Sequence, residues 1–99
     1  MSLAAITQVI KDKVGNDCGL NASVKFVLDG TDVILVDAKQ VPNVVSNDNS
    51  DADCTVKISA ENIQKILDGN LNPMTAFMMG KIKVEGNMGV AMNINKIFN

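Results

Sequence analysis

The sequence predicts an α+β domain: a five-stranded, mostly antiparallel sheet covered on one face by helices. Period-two alternation marks strands at Val24 to Leu28, Val33 to Ala38, Cys54 to Ile58 and Lys81 to Glu85. Helical spacing, with cap residues in place, marks segments at both ends and after Ile58. The resulting order is α-β-β-β-β-α-α-β-α, which packs as one antiparallel-dominated sheet under a helical layer.

Ser2 is placed to cap a first helix, with Leu3, Ile6 and Ile10 at helical spacing and Lys11 and Lys13 in the last turn, where the helix dipole favours cations; Gly15 ends it. Val24, Phe26 and Leu28 alternate with polar neighbours. The turn Asp29-Gly30-Thr31-Asp32 then returns the chain as Val33 to Ala38, a hairpin. Pro42 cannot donate to a ladder and Ser46 to Asp51 is polar turn material, so Val41 to Asp51 is expected to form a short edge strand and a loop.

Cys54, Val56 and Ile58 share one face of the next strand. Ser59 caps a helix whose inward stripe is Ile63, Ile66 and Leu67, with Glu61 and Lys65 paired outside and Gly69 at its end. Asn72 followed by Pro73 starts a two-turn helix closed by Gly80, with Met74, Phe77 and Met78 to one side. Ile82 and Val84 then point inward, while Lys81, Lys83 and Glu85 meet water. Asn87 caps a final helix running to Phe98, where Val90, Ile94 and Ile97 form one stripe and Met88, Ala91 and Met92 widen it. That apolar arc is broader than one packing face requires.

Ninety-nine residues make one domain, 1–99, able to bury roughly 60–70% of the surface its unfolded chain exposes. Nine basic against eleven acidic side chains, with three Phe and no Trp or Tyr, give neither a phosphate-backbone footprint nor a stacking platform; no nucleic-acid partner is expected. No apolar run is long enough to span a bilayer, and the lysines of MSLAAITQVIKDK follow its apolar residues, unlike a secretory signal, so a cytoplasmic protein is expected. Six methionines are a high share for this length, and their flexible thioethers pack irregular gaps and accept varied shapes.

The chain has no histidine, which excludes Ser-His-Asp and Cys-His nucleophilic arrangements, and with only two cysteines it lacks the usual zinc ligand sets; no catalytic residue, metal or cofactor is expected. Cys18 and Cys54 read as reduced thiols. Asp48, Asp51 and Asp53 read as charges in or beside a solvated loop. Gly86 to Gly89 lacks the length and lysine of a phosphate loop and reads as backbone geometry between strand and helix.

Four stretches carry a more specific signal. Ala52-Asp53-Cys54-Thr55, Gly69-Asn70-Leu71-Asn72-Pro73-Met74-Thr75-Ala76-Phe77-Met78, Gly80-Lys81-Ile82-Lys83-Val84-Glu85-Gly86 and Asn87-Met88-Gly89-Val90-Ala91-Met92 together resemble the sterol carrier protein 2 family, also called non-specific lipid-transfer proteins. The resemblance covers about half the chain. It implies a sheet in which the last strand is inserted among the earlier ones, and an apolar tunnel between sheet and helices. It also implies binding of fatty acids, fatty acyl-CoAs, sterols and phospholipids with little selectivity. Added to the inward-facing positions, it predicts a lipid-binding set of Phe26, Val56, Ile58, Ile63, Leu67, Leu71, Met74, Phe77, Met78, Ile82, Val84, Met88 and Met92. The position before Gly80, often glutamine in the family, is Met79 here, which removes a polar contact that could orient a ligand group. The C-terminal Lys96-Ile97-Phe98-Asn99 is not a peroxisomal address of the Ser-Lys-Leu type.

The expected function is therefore lipid binding and transfer by a monomer with transient membrane contact. The alternative is a non-catalytic interaction or dimerisation module using the same apolar groove.

Overall fold

The computed structural model describes residues 2–15 and 18–98. Its elements are α1 (Leu3–Val14), β1 (Ser23–Leu28), β2 (Asp32–Asp37), β3 (Val44–Ser46), β4 (Cys54–Ile58), α2 (Ala60–Leu67), α3 (Pro73–Met78), β5 (Ile82–Gly86), α4 (Met88–Ala91) and α5 (Asn95–Phe98). The local signals at helix ends work as their chemistry requires. The Ser2 and Ser59 hydroxyls accept from the backbone N–H groups of Ala5 and Asn62, and the Asn72 carboxamide accepts from Met74 and Thr75. At the far ends of α2 and α3, Gly69 and Gly80 adopt φ of 80° and 75°. Asn70 N–H reaches the Lys65 carbonyl at 2.8 Å and Lys81 N–H the Ala76 carbonyl at 2.9 Å, the six-to-one bonds of a Schellman turn.

The strands form one sheet in the order β3-β2-β1-β4-β5. β1 pairs antiparallel with β2 and parallel with β4, and the β2–β3 and β4–β5 pairs are antiparallel. This corrects the expectation that the last strand is inserted among the others: β4 takes the place beside β1, and β5 is an edge strand. The physical reason lies in the connections. The run after β3 carries β4 across to the free side of β1, and the connection through α2 and α3 then returns β5 antiparallel to the neighbouring free edge of β4.

The core lies between this sheet and α1, α2 and α5. Val24, Phe26 and Leu28 of β1, Ile34 and Val36 of β2, and Cys54, Val56 and Ile58 of β4 are buried on one face. They meet Ile6, Ile10 and Val14 of α1, Ile63, Ile66 and Leu67 of α2 and Ile97 of α5. Phe26 stands edge-to-face with Phe98, ring centroids 5.8 Å apart. Lys25, Val27, Val33, Leu35 and Thr55 occupy the opposite face and are half-buried. No helix among the described residues is long and apolar enough to cross a membrane.

The expected final helix, Asn87 to Phe98, is broken into α4 and α5. The cause is Asn93. Its side-chain amide donates to the Gly89 carbonyl at 2.9 Å, the acceptor that its own backbone N–H would use in a continuous helix. That N–H turns to the Val90 carbonyl instead, and the next bonds, Ile94 to Ala91 and Lys96 to Asn93, are also three residues long.

Candidate functional site

Two junctions fix the part of the molecule where apolar side chains are left over. At the first, the Asp53 carboxylate accepts from the Ser23 backbone N–H at 3.1 Å while the Ser23 hydroxyl accepts from Asp53 N–H at 2.9 Å, tying the start of β4 to the start of β1. Lys39 adds an ion pair at 3.1 Å. The Ser23 N–H first, and Lys39 with it, holds the Asp53 carboxyl below its ordinary range. The Asp53 carbonyl in turn accepts from Asn87 N–H at 2.9 Å, which sets where α4 begins. Gly86 permits that approach: its φ is 97°, and a Cβ there would lie 2.7 Å from the Asp53 oxygen. The Gly-x-x-Gly segment is thus backbone geometry, as its sequence suggests. Beside this junction Cys54 is buried, and desolvation, with the Asp53 charge second, pushes its thiol above the ordinary value. Neither Cys18 nor Cys54 is in a disulfide.

The second junction is the Gly80 turn, which lays α3 against β5. Ala76 is the residue of α3 that enters the core. With about 100° between successive helical residues, Pro73, Phe77, Met74 and Met78 follow one another around the flank of α3.

Between α3, β5 and α4 lies a recess of about 200 Å³ lined by Pro73, Met74, Phe77, Val84, Met88, Ala91, Met92 and Ile94. Every one of these side chains is apolar. Its rim is open, since Met74, Phe77, Met88 and Met92 keep between 38% and 65% of their surface exposed. A second depression of about 430 Å³ shares Pro73, Met74 and Met92 with it and continues past Ile66, Leu71, Asn72, Asn95 and Phe98.

The structure therefore divides the predicted lipid-binding set. Met74, Phe77, Val84, Met88 and Met92 come together around the recess, and Leu71 lies in the adjoining depression. Phe26, Val56, Ile58, Ile63, Leu67 and Ile82 are buried in the core. Met78 is outside the recess lining and largely exposed. Three lining residues were absent from the set: Pro73, read only as a helix start, and Ala91 and Ile94, read as part of one straight helix. The sequence signal that could have found the last two is Asn93, whose side chain ends α4.

No group of three or more potential metal ligands clusters among the described residues. The recess offers no acid, base or nucleophile, and its chemistry is the exclusion of water from apolar surface.

A helix-covered sheet with an apolar, methionine-rimmed recess is consistent with the sterol-carrier class that the sequence resembles. Comparison with known proteins agrees. The profile of the SCP-2 sterol transfer family matches residues 17–99. Among named relatives, sterol carrier protein 2 of Bos taurus is 38% identical over 55 residues, which is 56% of this chain and 10% of that protein. Hydroxysteroid dehydrogenase-like protein 2 of Bos taurus is 33% identical over 98 residues, covering 93% of this chain and 23% of that protein. In both cases the chain spans only a minor part of the relative. Among solved structures, the apo form of sterol carrier protein 2 from Yarrowia lipolytica superposes with a TM-score of 0.70 at 29% identity, over 94% of this chain and 73% of that one. Palmitated SCP2L2 from Aedes aegypti does so with a TM-score of 0.73 at 24% identity, over all of this chain and 96% of that one. The chain belongs to the SCP-2 sterol transfer family, a family of lipid-binding and transfer domains.

Proposed function

We propose that this chain is a non-catalytic lipid carrier of the cytoplasm that takes a long acyl chain, as fatty acid, acyl-CoA or phospholipid, or a sterol, into the recess between α3, β5 and α4. The observation that carries the reading is the wholly apolar lining of a recess kept open by four partly exposed side chains. A soluble domain exposes such side chains together where they meet a ligand or partner. The palmitated mosquito relative, whose fold this chain shares, supports an acyl chain as one occupant.

At about 200 Å³ the recess is smaller than the roughly 300–1,000 Å³ of ordinary ligand sites. A long chain therefore enters by displacing the rim methionines or by running on into the depression beside Leu71 and Phe98. Methionine suits the first route, because three soft torsions let it repack around ligands of different shape. Removing an eighteen-carbon chain from water offers on the order of 10 kcal/mol before the cost of association, so micromolar affinity needs no polar contact. The absence of histidine and of polar groups in the lining supports a carrier without catalysis.

The test is titration of the delipidated chain with a fluorescent fatty acid, with mass and melting temperature followed in parallel. The carrier reading expects saturable uptake by a monomer and a rise in melting temperature with ligand. Self-association without uptake would instead identify an interaction module.

A further inference from the structure

We propose that the outer edge of β5 pairs with the same edge of a second copy of the chain, antiparallel and centred on Val84, joining two sheets into one. The inference stands on backbone and charge and does not require the carrier reading. The two edges of the sheet differ. β3 is three residues long, follows Pro42 closely and lies against α1, ordinary ways of blunting an edge. β5 is five residues long and free of proline, and beside its middle the recess opens between α3 and α4.

The ladder fixes which backbone groups that edge presents. At one end of β4 the Asp53 carbonyl turns toward β5 and accepts from Asn87 at 2.9 Å; at the other the Ile58 carbonyl turns toward β1 and accepts from Asp29 at 3.2 Å. Backbone direction alternates along a strand, so Thr55 and Lys57 bond toward β5, to their partners Glu85 and Lys83. The N–H and C=O groups of Ile82, Val84 and Gly86 therefore point outward. No backbone bond outside the sheet ladder engages them among the described residues.

A two-fold axis at this edge sets Val84 against its own copy and Ile82 against the other copy's Gly86, each pair exchanging two backbone bonds. The positions between them then place Lys83 opposite the other copy's Glu85, twice, at the close sites where cross-strand side chains interact most. Lys83 belongs to none of the ion pairs of the described residues, and the Glu85 side chain, 64% exposed, has a second oxygen beyond its 3.2 Å pair with Lys57. Registers shifted by two residues keep backbone bonds and lose the charge match. One sets Glu85 against Glu85. The other sets Lys83 against Lys83 and leaves Glu85 only Lys81, which lies outside the strand with its N–H held by the Ala76 carbonyl. Charges that repel a stray strand thus specify one partner and one register. On the other face the two Val84 side chains meet across the axis, so the floors of the two recesses adjoin.

Analytical sedimentation of the full chain over rising concentration tests this. Five residues a side make a small contact, so the monomer prevails in a dilute lipid titration, and the mean mass should climb toward two chains between about 10 μM and 1 mM. Lys83→Glu and Glu85→Lys each turn two attractive pairs into repulsive ones and should weaken association about tenfold. The double variant Lys83→Glu, Glu85→Lys remakes both pairs and should recover association to within about threefold of the wild type. In a pairing centred on Lys83 the same swap would leave like charges opposed, so recovery reads the register as well as the surface. A chain still monomeric at about 1 mM, single variants that associate as the wild type does, or a double variant no better than the singles would each overturn the proposal. Lys83 lies on the face away from the recess, so dilute Lys83→Glu should take up a fluorescent fatty acid as the wild type does; uptake lost in that variant would assign Lys83 to the recess and not to the edge. A wild type that pairs with this charge dependence yet takes up no fatty acid would sink the carrier reading and leave the pairing supported.

Discussion

The sheet with α1 and α2, and the segment from α3 to α4, bury apolar surface in opposite ways. In the first region Ile6, Ile10, Val24, Ile34, Val36, Val56 and Ile63 are branched, stiff and closed from water. In the second, Met74, Phe77, Met88 and Met92 are unbranched or planar, and they remain partly in solvent. Stiff side chains at crystal-like density define a frame that tolerates no change of volume. Flexible ones on two short helices form a wall that is only partly closed from water. The comparison teaches that a small domain can leave apolar side chains loosely packed at one edge when the other side is complete without them.

That division can be broken most forcefully at Phe26. Phe26→Ala should cost about 3–5 kcal/mol in denaturant unfolding, since the ring is fully buried against Phe98. The loss should be the same with and without bound fatty acid; recovery on adding lipid would show that the frame, too, contacts the guest. Phe77→Ala sharpens the contrast, because its ring is partly exposed and the apo protein should lose clearly less than that.

Gly86→Ala attacks the joint between frame and wall. The new methyl would meet the Asp53 carbonyl at 2.7 Å with the backbone at a φ that side chains avoid, a cost of roughly 1–3 kcal/mol. Because Asn87 starts α4 from that same carbonyl, lipid uptake should fall together with stability. Uptake at wild-type affinity in a destabilised Gly86→Ala would separate the two regions more than the structure suggests.

Met92→Glu should act on the wall alone. A carboxylate at the rim of an apolar recess disfavours an acyl chain, and uptake should weaken about tenfold. Unfolding free energy should shift by no more than about 0.5 kcal/mol, as for other exposed positions. A large stability loss would mean that Met92 is part of the frame.

The smallest effect is expected from pH, and it falls on the frame. The folded state holds Asp53 below the ordinary carboxylate range, so it binds fewer protons than the unfolded chain in the interval between the two pKa values. The stabilisation is complete above the unfolded pKa of about 3.9 and is lost as pH falls through the folded one. Wild-type protein should therefore exceed Asp53→Asn in melting temperature near neutral pH, and the gap should narrow toward about pH 3. A gap independent of pH would remove the carboxylate charge from the account.

Sequence by itself determined the elements and most of their ends. Ser2, Ser59, Asn72, Gly69 and Gly80 act through bonds to residues within a few positions and Pro73 through its fixed φ, and local chemistry of that kind is legible without a fold. The alternation of Val24, Phe26 and Leu28, and of Cys54, Val56 and Ile58, likewise chose the buried face. The methionine excess after Leu71 pointed to the region where the structure leaves apolar side chains exposed. Tertiary structure alone decided which of those side chains are frame and which are wall. Phe26, Ile63 and Met88 look alike in an apolar pattern, yet only the placement of β4 beside β1, with β5 at the edge, closes the core over the first two and leaves the third on the rim. Strand order depends on connections that cross the whole sheet, and the break at Asn93 depends on one side chain outcompeting its own backbone for the Gly89 carbonyl. A hydrophobic pattern records that a residue leaves water; whether it meets protein or an open recess is settled by neighbours distant in sequence.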